Sequence, residues 1–475
     1  MKTRMESDSI GSMEVPADAY YGIQSLRANN NFHITKKTLH KDFIISLAEI
    51  KKAAAITNRD AGLLPTTIAN AIINASEEII CGKLHEEFIV DPIQGGAGTS
   101  ANMNANEVIA NRAIELLGAT KGNYDVINPN DHVNMAQSTN DVFPTAGKLT
   151  VLKMLPRTIA ALQNLYNALK LKSLEFNNVI KMGRTQLQDA VPMRLGQSFN
   201  AFASMVDRDI KRLKEAEKEM LTVNIGATAI GTSINVSPEY FENIIPNLKK
   251  ISGFNIVQAK DLIDATQNLD SFVSISNALK TCAVNLSKMA NDLRLLSSGP
   301  KTGFAEINLP PKQNGSSIMP GKVNPVILEV VSQVAFNIIG NDFTITMAAE
   351  AGQLELNAFE PVLFYNLFES IETLENATIT LVNNCVLGIT ANKERCKELL
   401  DNSVGIVTAL CPYIGYKKSS QIAKKSLETG ISVKELVLIE GLLTPEELEK
   451  ILDPVSMTEL NIDSSGMESG IDKAM

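Results

Sequence analysis

The sequence predicts an all-α protein built around a central bundle of long helices. Apolar residues recur at helical spacing over several stretches of about 30 residues, whereas the alternating pattern of a half-buried strand is rare. Helices of that length reach about 45 Å and must pack lengthwise against one another to bury their apolar faces. Aromatic residues form only 5% of the chain and tryptophan is absent, so we expect an aliphatic core.

The helical pattern begins at Asp42, after an irregular segment that we predict for residues 1–35. In the first helix the apolar residues from Phe43 onward fall on one face, and Lys51 and Lys52 stand between them. The later helices are predicted at 67–80, at 145–180 with a kink or restart at Pro156, and at 194–221, 260–297, 324–351 and 359–390.

At 475 residues the chain is too long for one compact core. The lengths of its predicted elements divide it into three predicted domains. These are an N-terminal helical domain at 1–139, the long-helix bundle at 140–392 and a small helical domain at 393–475. In the last domain, Ser432–Glu435 and Thr444–Glu447 have the pattern of capping boxes. The polar tail from about 457 is expected to be disordered.

Composition excludes several classes of protein. The formal net charge of −9 and the pI of about 5.3 disfavour a nucleic-acid-binding protein, which would carry a basic face. The five cysteines are scattered and form no CxxC pair, which is typical of a reduced intracellular chain without a zinc site. No signal-peptide pattern and no run of about 18 apolar residues occurs. We therefore expect a cytoplasmic protein that binds neither nucleic acid nor membrane.

Four loops rich in Ser, Thr, Asn and Gln stand out between the helices. They cover 94–107, 128–141, 183–190 and 315–324. The first is Gly-rich and opens a helix, but it lacks the lysine and the spacing of a phosphate-binding P-loop. A carboxylate pocket at a helix N-terminus is the better interpretation. N-cap chemistry explains one or two residues of the second loop and leaves the rest of that cluster unexplained.

The loop at 315–324 has the composition of a flap that closes over a small ligand. It carries Ser316, Ser317, Lys322 and Asn324 between flexible glycines, and its prolines oppose a continuous helix. The same residue types also form ordinary surface turns. The apolar side chains at 318, 319 and 323 favour a functional loop, because a fully solvated turn does not need them.

The polar loops lack the usual parts of metal hydrolysis and of phosphoryl transfer, since they contain no HExxH, no Cys–His pair and no carboxylate pair. They suit a pocket that holds carboxylates. Donors aimed at a carboxylate stabilise the charge that develops when a neighbouring proton is removed. A serine can be the base for that step if N–H groups and a cation stabilise its alkoxide. We expect no organic cofactor and no metal.

Five blocks of the chain resemble, in the same order, the blocks of the fumarase/aspartase superfamily. They are GGAGTSANMNANEV, NPNDHVNMAQSTND, GRTQLQDAVPMRLGQ, NIGATAIGTSIN and GSSIMPGKVNPV. The resemblance covers nearly the whole chain. It implies a homotetramer with a central bundle of long helices and composite active sites fed by three subunits. It also implies an anti elimination across a Cα–Cβ bond that releases fumarate.

The resemblance assigns a role to each matching residue. Ser316 is the expected general base. The residues that hold the α-carboxylate of the substrate are Lys322 and Asn324, and those that hold the β-carboxylate are Thr99, Ser138, Thr139 and Ser317. The residues that face the amino group are Asn140, Thr185 and Gln186. Glu329 matches a carboxylate that lies behind the site, although an exposed helix glutamate is an equally good interpretation. No acid for the departing ammonia stands out.

Details favour the aspartase branch of this family, which acts on L-aspartate, over class II fumarases, which act on L-malate. Fumarases usually carry histidine where Gln186 and Asn128 stand. The segments NPVILEVVSQVAFNIIGNDFTIT and AAEAGQLELNAFEPV also resemble aspartases. A class II fumarase remains the alternative. Argininosuccinate and adenylosuccinate lyases are weaker alternatives, because they usually lack the VNP that follows Lys322. The intact polar loops disfavour a scaffold that has lost its catalytic activity.

Overall fold

The computed structural model describes residues 2–453 and 456–458, and the predicted all-α fold is confirmed. The helices are α1 (Ile23–Asn31), α2 (Lys41–Asp60), α3 (Thr66–Ile80), α4 (Thr99–Leu116), α5 (Thr139–Glu175), α6 (Leu195–Glu217), α7 (Pro238–Ser252), α8 (Leu262–Gln267), α9 (Asp270–Leu296), α10 (Val326–Glu350), α11 (Glu360–Asn384), α12 (Lys393–Asp401), α13 (Cys411–Ile414), α14 (Tyr416–Thr429), α15 (Val433–Ile439) and α16 (Pro445–Ile451).

In the described part of the chain, the β-strands form four two-stranded sheets, and Gln353 and Leu356 form an isolated bridge. The antiparallel pairs are β1 (Thr3–Asp8) with β2 (Gly11–Pro16), β3 (Ile180–Thr185) with β4 (Gln188–Arg194), and β7 (Ile307–Asn308) with β8 (Thr390–Ala391). The parallel pair is β5 (Thr222–Val223) with β6 (Val257–Gln258).

The chain folds into two compact units. The first unit comprises Met1–Gln163, Arg208–Ser287 and Val331–Thr378. The second unit comprises Asn164–Asp207, Lys288–Val330 and Ile379–Met475. Helices α5, α6, α9, α10 and α11 contribute residues to both units.

The core of the first unit contains a cluster of phenylalanine rings. Phe364 of α11 lies at its centre, with ring centroids 5.2 Å from Phe143 of α5 and 4.9 Å from Phe272 of α9. Phe43 of α2 and Phe368 complete the cluster, and all five side chains are buried. Such pairs add about 0.5–1.5 kcal/mol each beyond the area that they bury. Composition predicted an aliphatic core. In this part of the core, however, the few aromatic residues join four helices.

The core of the second unit packs the β3–β4 hairpin against the C-terminal helices. Met182 of β3 is fully buried among Leu400 of α12, Ile422 of α14 and Val437 of α15. Gly405 approaches the hairpin so closely that a Cβ there would overlap the carbonyl oxygen of Ala190. The hairpin was not expected from the sequence, which shows no alternating pattern over 183–190, and tertiary packing accounts for it.

The prediction of an irregular N-terminal segment is wrong. Strands β1 and β2 form a hairpin, and the Asp8 carboxylate accepts hydrogen bonds from the backbone N–H groups of Ile10 and Gly11 at its turn. Helix α1 follows, and Glu6 of β1 accepts from the N–H of Ile23 at 2.8 Å. A buried carboxylate therefore satisfies a free N–H at the start of α1.

Helix α5 runs unbroken through Pro156, where a kink or restart was predicted, and also through Pro144. A proline inside a helix leaves the carbonyl four residues earlier without its usual donor. For Pro144 that carbonyl belongs to Asn140, and it accepts a hydrogen bond of 3.0 Å from Asn224 Nδ2. A side chain from the block at 224–235 thus replaces the missing N–H.

Other boundaries differ in smaller ways. The helix predicted at 260–297 is divided into α8 and α9, and Asp261 caps α8 by accepting from the N–H groups of Ile263 and Asp264. Helix α7 was not predicted. Both capping boxes, at Ser432 and at Thr444, are confirmed. Most of the polar tail expected from about 457, from 459 onward, lies outside the described residues.

Helix α10 exposes an apolar stripe. Phe336, Ile339, Phe343 and Met347 recur at helical spacing, and Phe343 is 69% exposed. The helix is long and apolar enough to cross a membrane by length and composition alone, and only 39% of its most apolar window is buried. Exposed apolar stripes of this kind are typical of surfaces that contact another protein or a membrane.

Candidate active site

The first turns of α4 and α5 meet in the first unit. Asn102 Nδ2, in the first turn of α4, donates to Thr139 Oγ1, at the start of α5, over 3.1 Å. Two helix N-termini thereby place their free N–H groups and positive dipole ends together, which favours an anion. Thr99, the first residue of α4, is exposed, whereas Thr139 is buried.

The Gly-rich loop reaches α4 through three residues of positive φ, namely 87° at Gly96, 53° at Ala97 and 85° at Gly98. Gly98 has a second constraint, because a Cβ there would overlap the ring of Phe143. Gln94 fixes the other end of the loop, since its Oε1 accepts from the Ala101 N–H at 2.9 Å. The loop is therefore held firmly in front of α4.

A buried lysine lies behind the two helix N-termini. Lys51 Nζ donates to Asn134 Oδ1 and to Gln137 Oε1, each at 2.9 Å, and Asn134 Oδ1 also accepts from Asn102 at 3.1 Å. The side chain is 0% exposed. Burial lowers the pKa of Lys51 to about 7, and the charge of Asp141 opposes that shift. Lys51 thus ties α2 and the 134–137 loop to α4.

Asp141 fixes the start of α5. Its carboxylate accepts from the N–H of Ser138 at 2.9 Å and from those of Gly226 and Thr228 at 3.0 Å each. Burial raises the pKa of Asp141 to about 6, against the effect of these three donors. Asn140 beside it donates from Nδ2 to the Ala229 carbonyl at 2.7 Å. Ser138, Thr139 and Asn140 are therefore anchored to the block at 224–235.

In the second unit, Thr185 and Gln186 lie at the tip of the β3–β4 hairpin. Gln186 and Leu187 have φ angles of 56° and 63°, which form the tight turn between the paired residues Thr185 and Gln188. Both predicted residues are exposed, and Leu187 is 65% exposed. The tip is thus available to another surface.

Arg184, the residue before Thr185, supports the hairpin. Its Nη1 donates to Glu306 Oε1 at 2.8 Å, and its guanidinium lies 4.1 Å from the ring centre of Phe304. Lys181 Nζ lies 3.1 Å from the other oxygen of Glu306, which is fully buried. One carboxylate therefore pairs with two cations beneath the tip.

The loop at 315–324 directs two backbone donors at Ser316. Its Oγ accepts from the N–H of Ile318 at 3.2 Å and from that of Met319 at 3.0 Å. N–H groups in this position stabilise negative charge on the oxygen. Ser316 is half-buried, whereas Ser317 and Lys322 are exposed, and Ile318 is 83% exposed. The loop therefore faces solvent in this structure.

The ends of the loop are joined at Gly315. Its N–H donates to the Lys322 carbonyl at 2.9 Å, and its own carbonyl accepts from Asn324 Nδ2 at 2.6 Å. A Cβ at Gly315 would overlap the Lys322 carbonyl oxygen, so only glycine fits there. Asn324, predicted to bind substrate, thus also closes the loop with its side chain.

A cleft of about 960 Å³ lies beside this loop within the second unit. Lys322 and Asn324 line it together with Arg294 and Lys312, which makes its wall cationic. Glu329, in the first turn of α10, lies 3.9 Å from the Arg294 guanidinium and is partly exposed. The contact with Arg294 gives Glu329 a partner other than bulk water.

The predicted residues thus form two groups. The first unit brings together Thr99, Ser138, Thr139 and Asn140. The second unit contains Thr185, Gln186, Ser316, Ser317, Lys322, Asn324 and Glu329. Sequence reasoning missed the supporting residues Lys51, Asp141 and Glu306. The NDVFP stretch that contains Asp141 offered one signal, because an aspartate three residues after an N-cap serine has the spacing of a capping box.

Comparison with known proteins identifies the family of the chain. Residues 11–340 match the family model described as Lyase, and residues 406–459 match that of the fumarase C C-terminus. The fold and the matched residues therefore define a lyase. The chain belongs to the fumarase/aspartase superfamily.

Individual relatives cover almost the whole chain. An aspartate ammonia-lyase of Bacillus subtilis is 52% identical over 97% of each chain, and one of Pseudomonas aeruginosa is 55% identical over 96% of this chain and 97% of its own. A fumarate lyase:delta crystallin from Brucella melitensis bound to cobalt superposes with a TM-score of 0.94 at 50% identity, covering 97% of this chain and 100% of that one. A class II fumarase from Schistosoma mansoni superposes with a TM-score of 0.92 at 35% identity, covering 96% and 99%.

Proposed function

We propose that this lyase is an aspartate ammonia-lyase, which converts L-aspartate reversibly to fumarate and ammonia by anti elimination. Identities of 52–55% to aspartate ammonia-lyases, against 35% to a class II fumarase, support this substrate. Gln186, at the position where fumarases usually carry histidine, supports it as well.

Ser316 is the proposed general base. The observation that carries this assignment is the pair of backbone N–H groups, from Ile318 and Met319, that point at its Oγ. A serine hydroxyl is a weak base unless its alkoxide is stabilised, and two N–H donors supply that stabilisation. Lys322 adds a cation on the same loop. The Ser316 alkoxide removes the proton from Cβ of the substrate.

The electron pair from that C–H bond moves into the β-carboxylate and forms an enediolate-like, aci-carboxylate intermediate. Thr99, Ser138, Thr139 and Ser317 hold this group in our proposal, and the joined N-termini of α4 and α5 stabilise its second negative charge. Lys322 and Asn324 hold the α-carboxylate. The electron pair then returns from the β-carboxylate to form the Cα–Cβ double bond, and the Cα–N bond breaks with its pair leaving on nitrogen. Asn140, Thr185 and Gln186 face the departing ammonia.

Assembly as a homotetramer is part of the proposal. The exposed stripe of α10 offers an apolar surface for a second copy of the chain, and the exposed hairpin tip needs another surface to serve a pocket. We also propose the division into domains at 1–139, 140–392 and 393–475, and a cytoplasmic location. Glu329 would act behind the site through its contact with Arg294.

Ultraviolet absorbance of fumarate tests the proposal directly. We expect fumarate to form from L-aspartate, with one ammonia released per fumarate, and none from L-malate. Formation from L-malate alone would overturn the substrate assignment in favour of a class II fumarase. No product from either substrate would refute both functions.

A further inference from the structure

Asn224 lies directly after β5 in the first unit, behind the residues that the proposed reaction uses. Its side chain is 3% exposed. Its Nδ2 donates to the carbonyl oxygen of Asn140 at 3.0 Å and to Thr266 Oγ1 at 3.1 Å, and its Oδ1 accepts from Thr145 Oγ1 at 3.2 Å. Both polar atoms of this buried carboxamide are therefore in use, which fixes its orientation.

The Asn140 carbonyl depends on this donor because of Pro144. In an unbroken α-helix the N–H of residue 144 would donate to that carbonyl, and proline has no N–H. Asn140 lies in the first turn of α5, so a side chain from outside the helix holds a carbonyl that the helix itself would normally hold.

The segment that contains Asn224 also holds the side chain of Asn140. Asn140 Nδ2 donates at 2.7 Å to the carbonyl of Ala229, which follows Asn224 by five residues. A carbonyl can only accept, so the carboxamide turns its NH2 group towards Ala229. In the proposed reaction, Oδ1 is then the atom that Asn140 offers to the substrate, and an oxygen acceptor suits the N–H groups of an amine.

We propose that Asn224 is a positioning residue for the amino group of the substrate: by holding the Asn140 carbonyl, it keeps Asn140 Oδ1 in place to accept a hydrogen bond from that group. The inference rests on the proposed function, in which Asn140 faces the amino group. Asn224 acts through Asn140 and does not itself touch the substrate.

The proposed carboxylate ligands of the first unit have other supports. The N–H of Ser138 donates to the Asp141 carboxylate at 2.9 Å. Thr139 Oγ1 accepts from Asn102 at 3.1 Å. Neither contact includes Asn224, so loss of its donor should weaken recognition of the nitrogen and spare that of the carboxylates.

Amination of fumarate separates these two effects, because the nitrogen and the carboxylates then arrive on different molecules. The fall in fumarate absorbance is followed with ammonium chloride varied at saturating fumarate and with fumarate varied at saturating ammonium, at one ionic strength. We expect Asn224→Ala to raise the KM for ammonium about tenfold and to leave the KM for fumarate within about twofold of the native value. Equal rises in both KM values, or no rise in the KM for ammonium, would overturn the proposal.

Two further substitutions show whether the effect passes through the Asn140 carbonyl. Pro144→Ala returns to α5 a backbone N–H that can donate to this carbonyl, so its combination with Asn224→Ala should recover most of the native KM for ammonium. Thr266→Val removes the other acceptor of Asn224 Nδ2 and should leave both KM values unchanged. A double variant that keeps the high KM for ammonium, or an equal rise in Thr266→Val, would refute the role of Asn224.

Asn224→Asp covers the case in which Asn224→Ala does not fold. It keeps the size of the side chain and removes the same donor, so it should also raise the KM for ammonium, and an unchanged KM would contradict the proposal. Native protein that does not aminate fumarate would refute the proposed function and this inference together. Active native protein whose variants miss the expected KM values would refute the inference alone.

Discussion

Replacement of Lys51 by methionine tests how burial affects the protonation of the lysine behind the two helix N-termini. Lys51 is fully buried, and the charge that acts on it is that of Asp141. Its acceptors are the neutral side chains of Asn134 and Gln137. Methionine has a similar length and no charge, so Lys51→Met keeps most of the packing and removes the titration.

The magnitude follows from the pKa of Lys51, which is about 7 in the folded protein and 10.5 for a free lysine side chain. Between these values the unfolded chain binds more protons, so the free energy of unfolding rises with pH by at most about 1.4 kcal/mol per pH unit. The Lys51 contribution is complete above pH 10.5 and is lost as pH falls towards 7. From pH 7 to pH 9 it amounts to about 2 kcal/mol.

Urea unfolding at pH 7, 8 and 9, at one protein concentration, measures this difference. The native protein should gain about 2 kcal/mol more from pH 7 to pH 9 than Lys51→Met does. Lys52→Met is the matched control, because Lys52 is the next residue of α2 and pairs with Glu77 at the surface. It should keep the native pH dependence.

Equal pH dependence in the native protein and Lys51→Met would refute the argument, because Lys51 would then titrate alike in the folded and unfolded chains. The same variant has a catalytic consequence. Asn134 and Gln137 lose the donor that orients them beside Asn102, so kcat/KM for L-aspartate should fall by about tenfold or more.

Three further substitutions test the proposed site and its support. Ser316→Ala should lower fumarate production from L-aspartate by on the order of 10³-fold. The circular dichroism spectrum should stay native, because both hydrogen bonds of the hydroxyl lie within the loop. Near-normal turnover would contradict its role as base. Lys322→Ala should raise KM and lower kcat together, since one carboxylate loses its charged partner; an unchanged KM would argue against that contact. Gly98→Ala should lower the free energy of unfolding by about 1–3 kcal/mol, because its Cβ would overlap Phe143 at a φ of 85°. Gly118 has a φ of 79° but lies in open space, so Gly118→Ala should lower the free energy of unfolding by less in the same urea titration.

Periodicity predicted the helices well, and its failures have physical causes. The pattern of α2 identified its apolar face and gave Lys51 and Lys52 the same position between apolar residues. The two lysines differ in burial in the structure, because the 134–137 loop covers Lys51 and leaves Lys52 at the surface. That cover comes from a segment more than 80 residues away, and helical spacing within α2 carries no information about it.

For the candidate site, too, the sequence predicted some features and not others. Clusters of Ser, Thr and Asn located the polar loops, because these residues end or begin helices and have few reasons to gather elsewhere. The sequence did not reveal the hairpin that presents Gln186, since the packing of Met182 and the buried carboxylate of Glu306 hold it in place. Local patterns predict which residues face a ligand, and distant contacts determine how those residues are held.

The hydrogen bonds that join the ends of the 315–324 loop at Gly315 have a consequence for the timing of the reaction. Two hydrogen bonds join Gly315 to Lys322 and Asn324, and two backbone donors curl the chain around Ser316. Any swing of this segment would therefore carry the proposed base and both proposed α-carboxylate ligands together. A substrate molecule would then contact all three groups or none. Binding of its α-carboxylate and placement of the base beside Cβ would therefore occur in one step.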